Sequence, residues 1–147
     1  MYLKSFLKLR YCLVIVSLLL LSNCASKPTM EELSKADYGK FVDSPKCLEI
    51  AKTFISIKMK DPSSVQYNNV YCTQGWQGKV PILGVPNTYG YRFTGNINAK
   101  NSYGGYTGFL PFSGIVRDDG FGPKVIRYCI TTNSARYGRT CLATMVN

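Results

Sequence analysis

The chain has 147 residues and carries 18 Lys and Arg residues against 8 Asp and Glu residues, which gives a formal net charge of +10. It contains no histidine, and this excludes serine–histidine and cysteine–histidine nucleophilic sites and the common zinc sites. The basic residues are scattered along the chain and form no stripe, so the charge does not indicate a nucleic-acid-binding protein.

The first residues of the chain have the pattern of an export signal. Lys4, Lys8 and Arg10 lie in a basic segment without acidic residues, and residues 11–21 form an apolar run behind it. As a helix this run would rise roughly 16 Å, about half of the ~30 Å hydrocarbon core of a bilayer. The segment therefore predicts a removable signal peptide and not a permanent membrane span.

The apolar run ends in Leu21-Ser22-Asn23-Cys24-Ala25, which resembles the lipobox of bacterial lipoproteins. The resemblance implies cleavage before Cys24 and attachment of diacylglycerol and palmitate to this residue, so a membrane is the first predicted partner. Ala25 resembles a residue that permits sorting to the outer membrane, where the domain would face the periplasm or the cell surface. Asn23 departs from the Gly, Ala or Ser that usually precedes the cysteine, which leaves a soluble periplasmic or secreted protein as the alternative.

Removal of the signal peptide, residues 1–23, leaves 124 residues, a size typical of one domain. Residues 24–43 are polar and predict a tether, and residues 44–147 form the predicted domain. The loss of three basic residues lowers the net charge to about +7. This charge favours anionic lipid headgroups, lipopolysaccharide or acidic proteins as partners, and a cationic surface that only maintains solubility is the other interpretation.

The first regular element of the predicted domain is a helix over residues 44–60. Ser44-Pro45 offers an N-cap followed by proline at the first helical position. Apolar residues then recur at helical spacing, and Asp61-Pro62 ends the helix because the residue before a proline is pushed out of the helical region.

The rest of the chain predicts strands. Residues 89–99 alternate between apolar and polar side chains, and a reversal at Gly104-Gly105 would pair Gly95 with Gly114 and Phe93 with Val116 across the next strand. Further strands are predicted at residues 65–72, 78–83, 124–131 and 139–146. The predicted fold class is α+β, with one N-terminal helix packed on an antiparallel β-meander and disulfides stabilising the domain.

The chain has six cysteines, of which one leaves with the signal peptide and Cys24 is assigned to the lipid. The remaining four would lie in an oxidising compartment, where two disulfides are expected and three connectivities are possible. Cys129 and Cys141 would face each other across a hairpin, and by elimination Cys47 pairs with Cys72. No metal site is predicted, because CxxC spacing and histidine are absent.

Two segments carry a family resemblance: KDPSSVQY at residues 60–67 and NAKNSYGGYTGF at residues 98–109. They resemble a family of small, poorly characterised bacterial exported proteins, often lipoproteins, with a KDPxSxxY element before an NAKNxxGGYxG element. The resemblance spans roughly residues 50 to 117. The resemblance implies that the domain is of the same kind as in this family, and it implies no activity.

The second segment is also the candidate binding site. The glycine-rich loop lacks the Lys-Ser/Thr of a P-loop and lies between strands, so it does not predict a phosphate cradle. One interpretation is a hairpin tip whose glycines adopt positive φ. The other is an aromatic recognition tip for sugar or protein. Its candidate residues are Lys100, Asn101, Tyr103, Gly104, Gly105 and Tyr106.

No enzymatic activity is predicted. Asp61 is explained as a cap and Asp118-Asp119 as a turn, so no pair of carboxylates remains for glycosidase chemistry, and no cofactor is indicated. Trp76 is predicted to anchor the core or a loop, with a ligand platform as the alternative. We expect an interaction module that binds a protein or glycan of the cell envelope. The alternative from another class is an inhibitor of a lysozyme-type enzyme, although lysozymes are typically basic and a cationic partner would repel them.

Overall fold

The computed structural model describes residues 27–80, 84–134 and 138–145, with the backbone alone for residues 132–134 and 138–145. Two α-helices, α1 (Met30–Lys35) and α2 (Ser44–Ser56), and a 3₁₀ turn (Pro62–Ser64) precede the strands. Five strands follow: β1 (Gln66–Gln77), β2 (Thr88–Asn98), β3 (Leu110–Arg117), β4 (Lys124–Ser134) and β5 (Gly138–Met145). They form one antiparallel sheet in the order β1-β2-β3-β4-β5, with α2 packed against it, which confirms the α+β class.

Helix α2 covers one face of the sheet. Cys47, Ala51 and Ile55 recur every four residues and are buried, since this spacing places them on a single stripe of the helix. The stripe packs into a core with Phe93 and Phe112 from the sheet. The helix ends at residue 56, four residues earlier than predicted, and residues 57–60 continue as turns.

The prediction of a single helix is wrong, because α1 lies inside the segment predicted as a tether. A capping box stabilises its first turn: the Glu32 amide donates to the Thr29 hydroxyl, and the Thr29 amide donates to the Glu32 carboxylate. The Lys35 ammonium pairs with the Glu31 carboxylate on the exposed surface. Local capping therefore favours a helix where the apolar periodicity is absent.

Residues 37–42 pack on the sheet. The Tyr38 ring meets Tyr89 edge-on at a centroid distance of 5.8 Å, and Val42 is buried in the core. Asp37 pairs with Arg117, and the Lys40 amide donates to the Asp118 carbonyl at 2.8 Å. The packed part of the chain thus begins several residues before the boundary at 43/44 that the polar composition suggests.

Strand β1 runs through residue 77, five residues beyond the end of the strand predicted at residues 65–72. A bulge between Asn68 and Tyr71 shifts its register with β2 by one residue, and Asn69 at the bulge has a φ of 49°. A strand over residues 78–83 is absent from the described part of that segment, where Val80 forms only an isolated bridge with Val85. Trp76 lies within β1, half-buried, opposite Tyr89.

The predicted register of β2 against β3 is wrong by two residues. Phe93 lies opposite Gly114, and Gly95 lies opposite Phe112, so each glycine faces a ring instead of the other glycine. A Cβ on Gly114 would lie 2.2 Å from the Phe93 Cζ atom, which shows that the ring occupies the space of a side chain. The shift also sets Arg92 opposite Ile115.

The predicted bond between Cys47 and Cys72 is confirmed. It joins α2 to β1 over a Cα–Cα distance of 6.3 Å. Cys129 is also disulfide-bonded, in the strand that pairs with β5. In the backbone ladder Cys129 lies opposite Ala143, two residues from the predicted register; the Cys141 side chain lies outside the described residues, so that pairing stays a prediction.

Candidate functional site

The predicted tip is the loop between β2 and β3, and its backbone is closed by hydrogen bonds. Lys100 and Tyr106 form an isolated bridge, the Asn101 amide donates to the Gly105 carbonyl at 2.8 Å, and the Gly104 amide donates to the Asn101 carbonyl at 3.0 Å. Gly104 has a φ of +79°, a conformation that favours glycine. The prediction of a glycine-dependent hairpin tip is confirmed at this residue.

Asn101 holds the tip together from inside. Its side-chain oxygen accepts hydrogen bonds from the amides of Tyr103 at 2.9 Å and Gly105 at 3.1 Å. An asparagine that bonds backbone groups two residues ahead stabilises a turn. Asn101, predicted as a binding contact, therefore has a structural role that occupies its acceptor.

The aromatic residues of the tip project into solvent. The Tyr103 side chain is 96% exposed and that of Tyr106 is 47% exposed. The Lys100 ammonium lies 5.7 Å from the centre of the Tyr106 ring, within range of a cation–π contact. The tip thus presents two phenolic rings and one cation on a closed turn.

The segments KDPSSVQY at residues 60–67 and NAKNSYGGYTGF at residues 98–109 are neighbours in space. The Lys100 amide donates to the Ser64 hydroxyl at 2.9 Å, and that hydroxyl donates to the Asp61 carbonyl at 2.9 Å. The Asn98 side chain accepts from the Gly108 amide at 3.0 Å. The Ser63 side chain, by its hydrogen bond, holds the pKa of the Asp61 carboxyl below its ordinary value of 3.8. The 3₁₀ turn and the tip are therefore one bonded unit.

A cleft of about 310 Å³ opens beside this unit. Its walls come from the turn after α2, the base of the tip, and strands β2, β3 and β4. The apolar lining residues are Met59, Ile97, Ala99, Leu110 and Ile130, and the polar ones are Lys58, Lys60, Lys100, Asn101, Thr107 and Thr131. We call this space the lysine-rimmed cleft.

The three lysines of the cleft form no ion pair with any carboxylate in the part of the chain that the structure describes. Lys58 lies 4.8 Å from the Phe54 ring centre and 5.9 Å from that of Tyr128, so aromatic faces orient this ammonium. Lys58 and Lys60 were not predicted as site residues, because both lay in the segment predicted as helix and Lys60 was noted only as the first residue of the KDPSSVQY segment. The predicted chain reversal at Gly104-Gly105 gives no information on the distance between these two lysines and Lys100.

A second groove of about 480 Å³ lies at the other side of the sheet. It is lined by Tyr38, Trp76, Gln77 and Arg92 among others. Trp76 was predicted as an anchor; it is half-buried and contributes to this groove. The alternation of polar residues along the strands could predict that this face of the sheet is exposed, but it could not predict that the face forms a groove.

Arg127 is a buried cation that sequence reasoning also missed. Its side chain is 1% exposed, and its guanidinium donates to the carbonyls of Gln77, Gly78 and Pro86 and to the Thr88 hydroxyl at 2.6 to 3.1 Å. Burial lowers the pKa of this guanidinium below its ordinary value. Arg127 thereby fixes both ends of the β1–β2 connection.

The carboxylates of Asp118 and Asp119, which the sequence assigns to a turn, form hydrogen bonds and an ion pair within the fold. The Asp118 carboxylate accepts from the amides of Gly120 and Gly122, and the Asp119 carboxylate pairs with Arg117 at 2.5 Å. Across residues 27–80, 84–134 and 138–145, no cluster of three or more Cys, Asp or Glu side chains could hold a metal ion.

No family model, curated protein sequence or solved structure matches this chain. No helix among the described residues is long and apolar enough to cross a membrane. Cys24 lies outside the described residues, so its lipidation stays a prediction.

Proposed function

We propose that the chain is a lipid-anchored protein of the bacterial cell envelope, held to the outer membrane through Cys24. We propose further that its domain is an interaction module that binds an envelope protein or glycan through the tip. The anchor rests on the basic, apolar and lipobox-like segments at residues 1–25. The disulfide between Cys47 and Cys72 is compatible with an extracytoplasmic location.

The observation that carries the binding function is the exposure of Tyr103 on a stiffened turn. A phenolic ring that is 96% exposed gains little from the fold, whereas it can bury a large area against a partner. The Asn101 side chain fixes the backbone on both sides of this ring. A preorganised turn loses less conformational entropy on binding, so the tip is suited to recognition.

Photo-crosslinking in cells tests this function. The full-length chain with a carboxy-terminal tag is crosslinked in a Gram-negative host, and captured molecules are identified by mass spectrometry. We expect a defined partner whose yield falls about tenfold in the Tyr103→Ala/Tyr106→Ala variant, because exposed aromatic residues often dominate binding energy.

The matched control is Phe121→Ala. Phe121 is an aromatic residue on a different turn and is 99% exposed, so its loss removes a similar apolar surface elsewhere. Capture in this variant should equal that of the unmodified chain. Equal capture by all three chains, or no capture at all, would contradict the proposal.

A further inference from the structure

The lysine-rimmed cleft combines two properties that seldom occur together on a surface. Its floor is apolar, with Ile97, Leu110 and Ile130 among the lining residues, while Lys58, Lys60 and Lys100 surround it. No carboxylate in the described residues forms a salt bridge with these three ammonium groups, although Lys100 and the Asp61 carboxylate attract each other at longer range. Three cations around one cleft are complementary to an anion.

The size of the cleft limits the ligand. A volume of about 310 Å³ holds about ten heavy atoms if each takes the ~30 Å³ of a water molecule in the liquid. This is enough for one short apolar chain.

The chemistry of the floor favours an alkyl chain over a peptide. The neutral polar side chains of the lining are Asn101, Thr107 and Thr131, and the Asn101 oxygen is already used by the tip, so a peptide backbone would find few hydrogen-bond partners in the cleft. An alkyl chain has no polar groups that need such partners. Its headgroup would lie at the rim, where the ammonium of Lys58, Lys60 or Lys100 could donate to an anionic oxygen.

We propose that the lysine-rimmed cleft binds a single acyl chain of about ten carbons with an anionic headgroup, the size that its volume admits. This deepens the proposed function, because it assigns a ligand class to the end of the sheet that carries the tip. Apolar burial supplies affinity and the lysine rim selects the charged headgroup.

Photoaffinity labelling tests the inference. Isolated membranes that contain the full-length chain receive a ten-carbon fatty acid with a diazirine in its chain, and the labelled peptides are mapped after irradiation. We expect light-dependent labelling to concentrate in the peptides that carry residues 97–110 and 126–131. Decanoate and decyl phosphate should compete, whereas decan-1-ol should compete about tenfold less well because it lacks the charge.

Two variants separate the contributions of the rim and the floor. Lys58→Gln/Lys60→Gln/Lys100→Gln should reduce labelling about tenfold or more, since the charged contacts are lost. Ala99→Phe should abolish labelling by filling the cleft.

The matched control for the rim is Lys40→Gln/Lys79→Gln/Lys124→Gln. It removes three exposed lysines that do not line the cleft and changes the net charge equally. This variant should label like the unmodified chain. Even labelling along the chain, equal competition by the alcohol, or full labelling of the rim variant would overturn the inference.

The two proposals fail separately. Tip-dependent capture of a partner without labelling of the cleft would retain the interaction module and reject the amphiphile. Labelling of the cleft without tip-dependent capture would retain the amphiphile and reject binding through Tyr103 and Tyr106.

Discussion

Gly114 occupies a position at which the packing leaves no room for a side chain. A Cβ there would lie 2.2 Å from the Phe93 Cζ atom and 2.4 Å from the Arg127 carbonyl oxygen. Because a strand carbonyl cannot rotate away, we expect Gly114→Ala to lower the free energy of unfolding by about 2 to 3 kcal/mol, measured by urea denaturation.

Gly105→Ala provides the comparison for this substitution. The nearest atoms to a Cβ at Gly105 belong to the Asn101 side chain at 3.8 Å, an ordinary contact distance. Its effect on the free energy of unfolding should stay within about 0.5 kcal/mol. Similar losses in both variants would show that close packing at Gly114 is not the cause.

The hydrogen-bond partners of single residues could not be predicted from the sequence. Asn101 has a side chain suited to sugar contacts, yet its oxygen is used by the amides of Tyr103 and Gly105. Arg127 would be expected on the surface, yet it is buried against three carbonyls and a hydroxyl. Composition gives the chemistry of a side chain, whereas its partners depend on which distant segments meet it.

At the scale of elements, the bond between Cys47 and Cys72 is the covalent link between α2 and β1. It closes a loop over a sequence separation of 25 residues. In the chain-entropy model such a loop contributes about 3.5 kcal/mol, so Cys47→Ala/Cys72→Ala should lower the free energy of unfolding by about that amount.

A reductant provides the control for the disulfide variant. Both cysteines are buried, so reduction of the folded chain requires opening. Because a reductant also opens the disulfide of Cys129, the unmodified chain under reducing conditions should be no more stable than the oxidised double variant. A double variant as stable as the oxidised chain would reject a stabilising role for this bond.

The strand predictions explain why registers are harder to predict than faces. The alternation at residues 89–99 correctly identified the buried face, because successive side chains point to opposite sides of a sheet. A shift of two residues keeps the same face inward, so the pattern could not distinguish Phe93 opposite Val116 from Phe93 opposite Gly114. The choice follows from the hydrogen bonds of the tip and from ring packing, which no periodicity encodes.

At the scale of the whole molecule, acid should weaken the fold. The Gly39 amide, by its hydrogen bond, and then Arg117 hold the pKa of the Asp37 carboxyl below its ordinary value of 3.8, and Asp61 is lowered as well. A carboxyl whose pKa is lower in the folded state stabilises the fold above the unfolded value and loses this contribution as pH falls through the folded value. We therefore expect the thermal midpoint of unfolding to decrease as the pH is lowered from 5 to below about 3.8.

The variant Asp37→Asn/Asp61→Asn tests this acid dependence. Removing both carboxyls should leave a smaller difference in thermal midpoint between pH 7 and pH 3 than the unmodified chain shows. An unchanged difference would place the acid sensitivity in other groups.

Of the candidate site, the tip could be predicted from the sequence and the lysine-rimmed cleft could not. The tip follows from one continuous segment, and the sequence located it correctly at the β2–β3 reversal. The lysine-rimmed cleft requires the turn after α2, the base of the tip and strand β4 to come together, across about seventy residues of chain. Such a site depends on tertiary packing, which patterns within single segments do not report.

The bulge in β1 affects how copies of the protein behave beside one another. Strand β1 is an edge of the sheet, and edges invite the strands of other molecules to add on and start aggregates. The left-handed conformation of Asn69 interrupts this edge between Asn68 and Tyr71, so an incoming strand cannot pair along its full length. The bulge thereby favours separate molecules over edge-to-edge polymers.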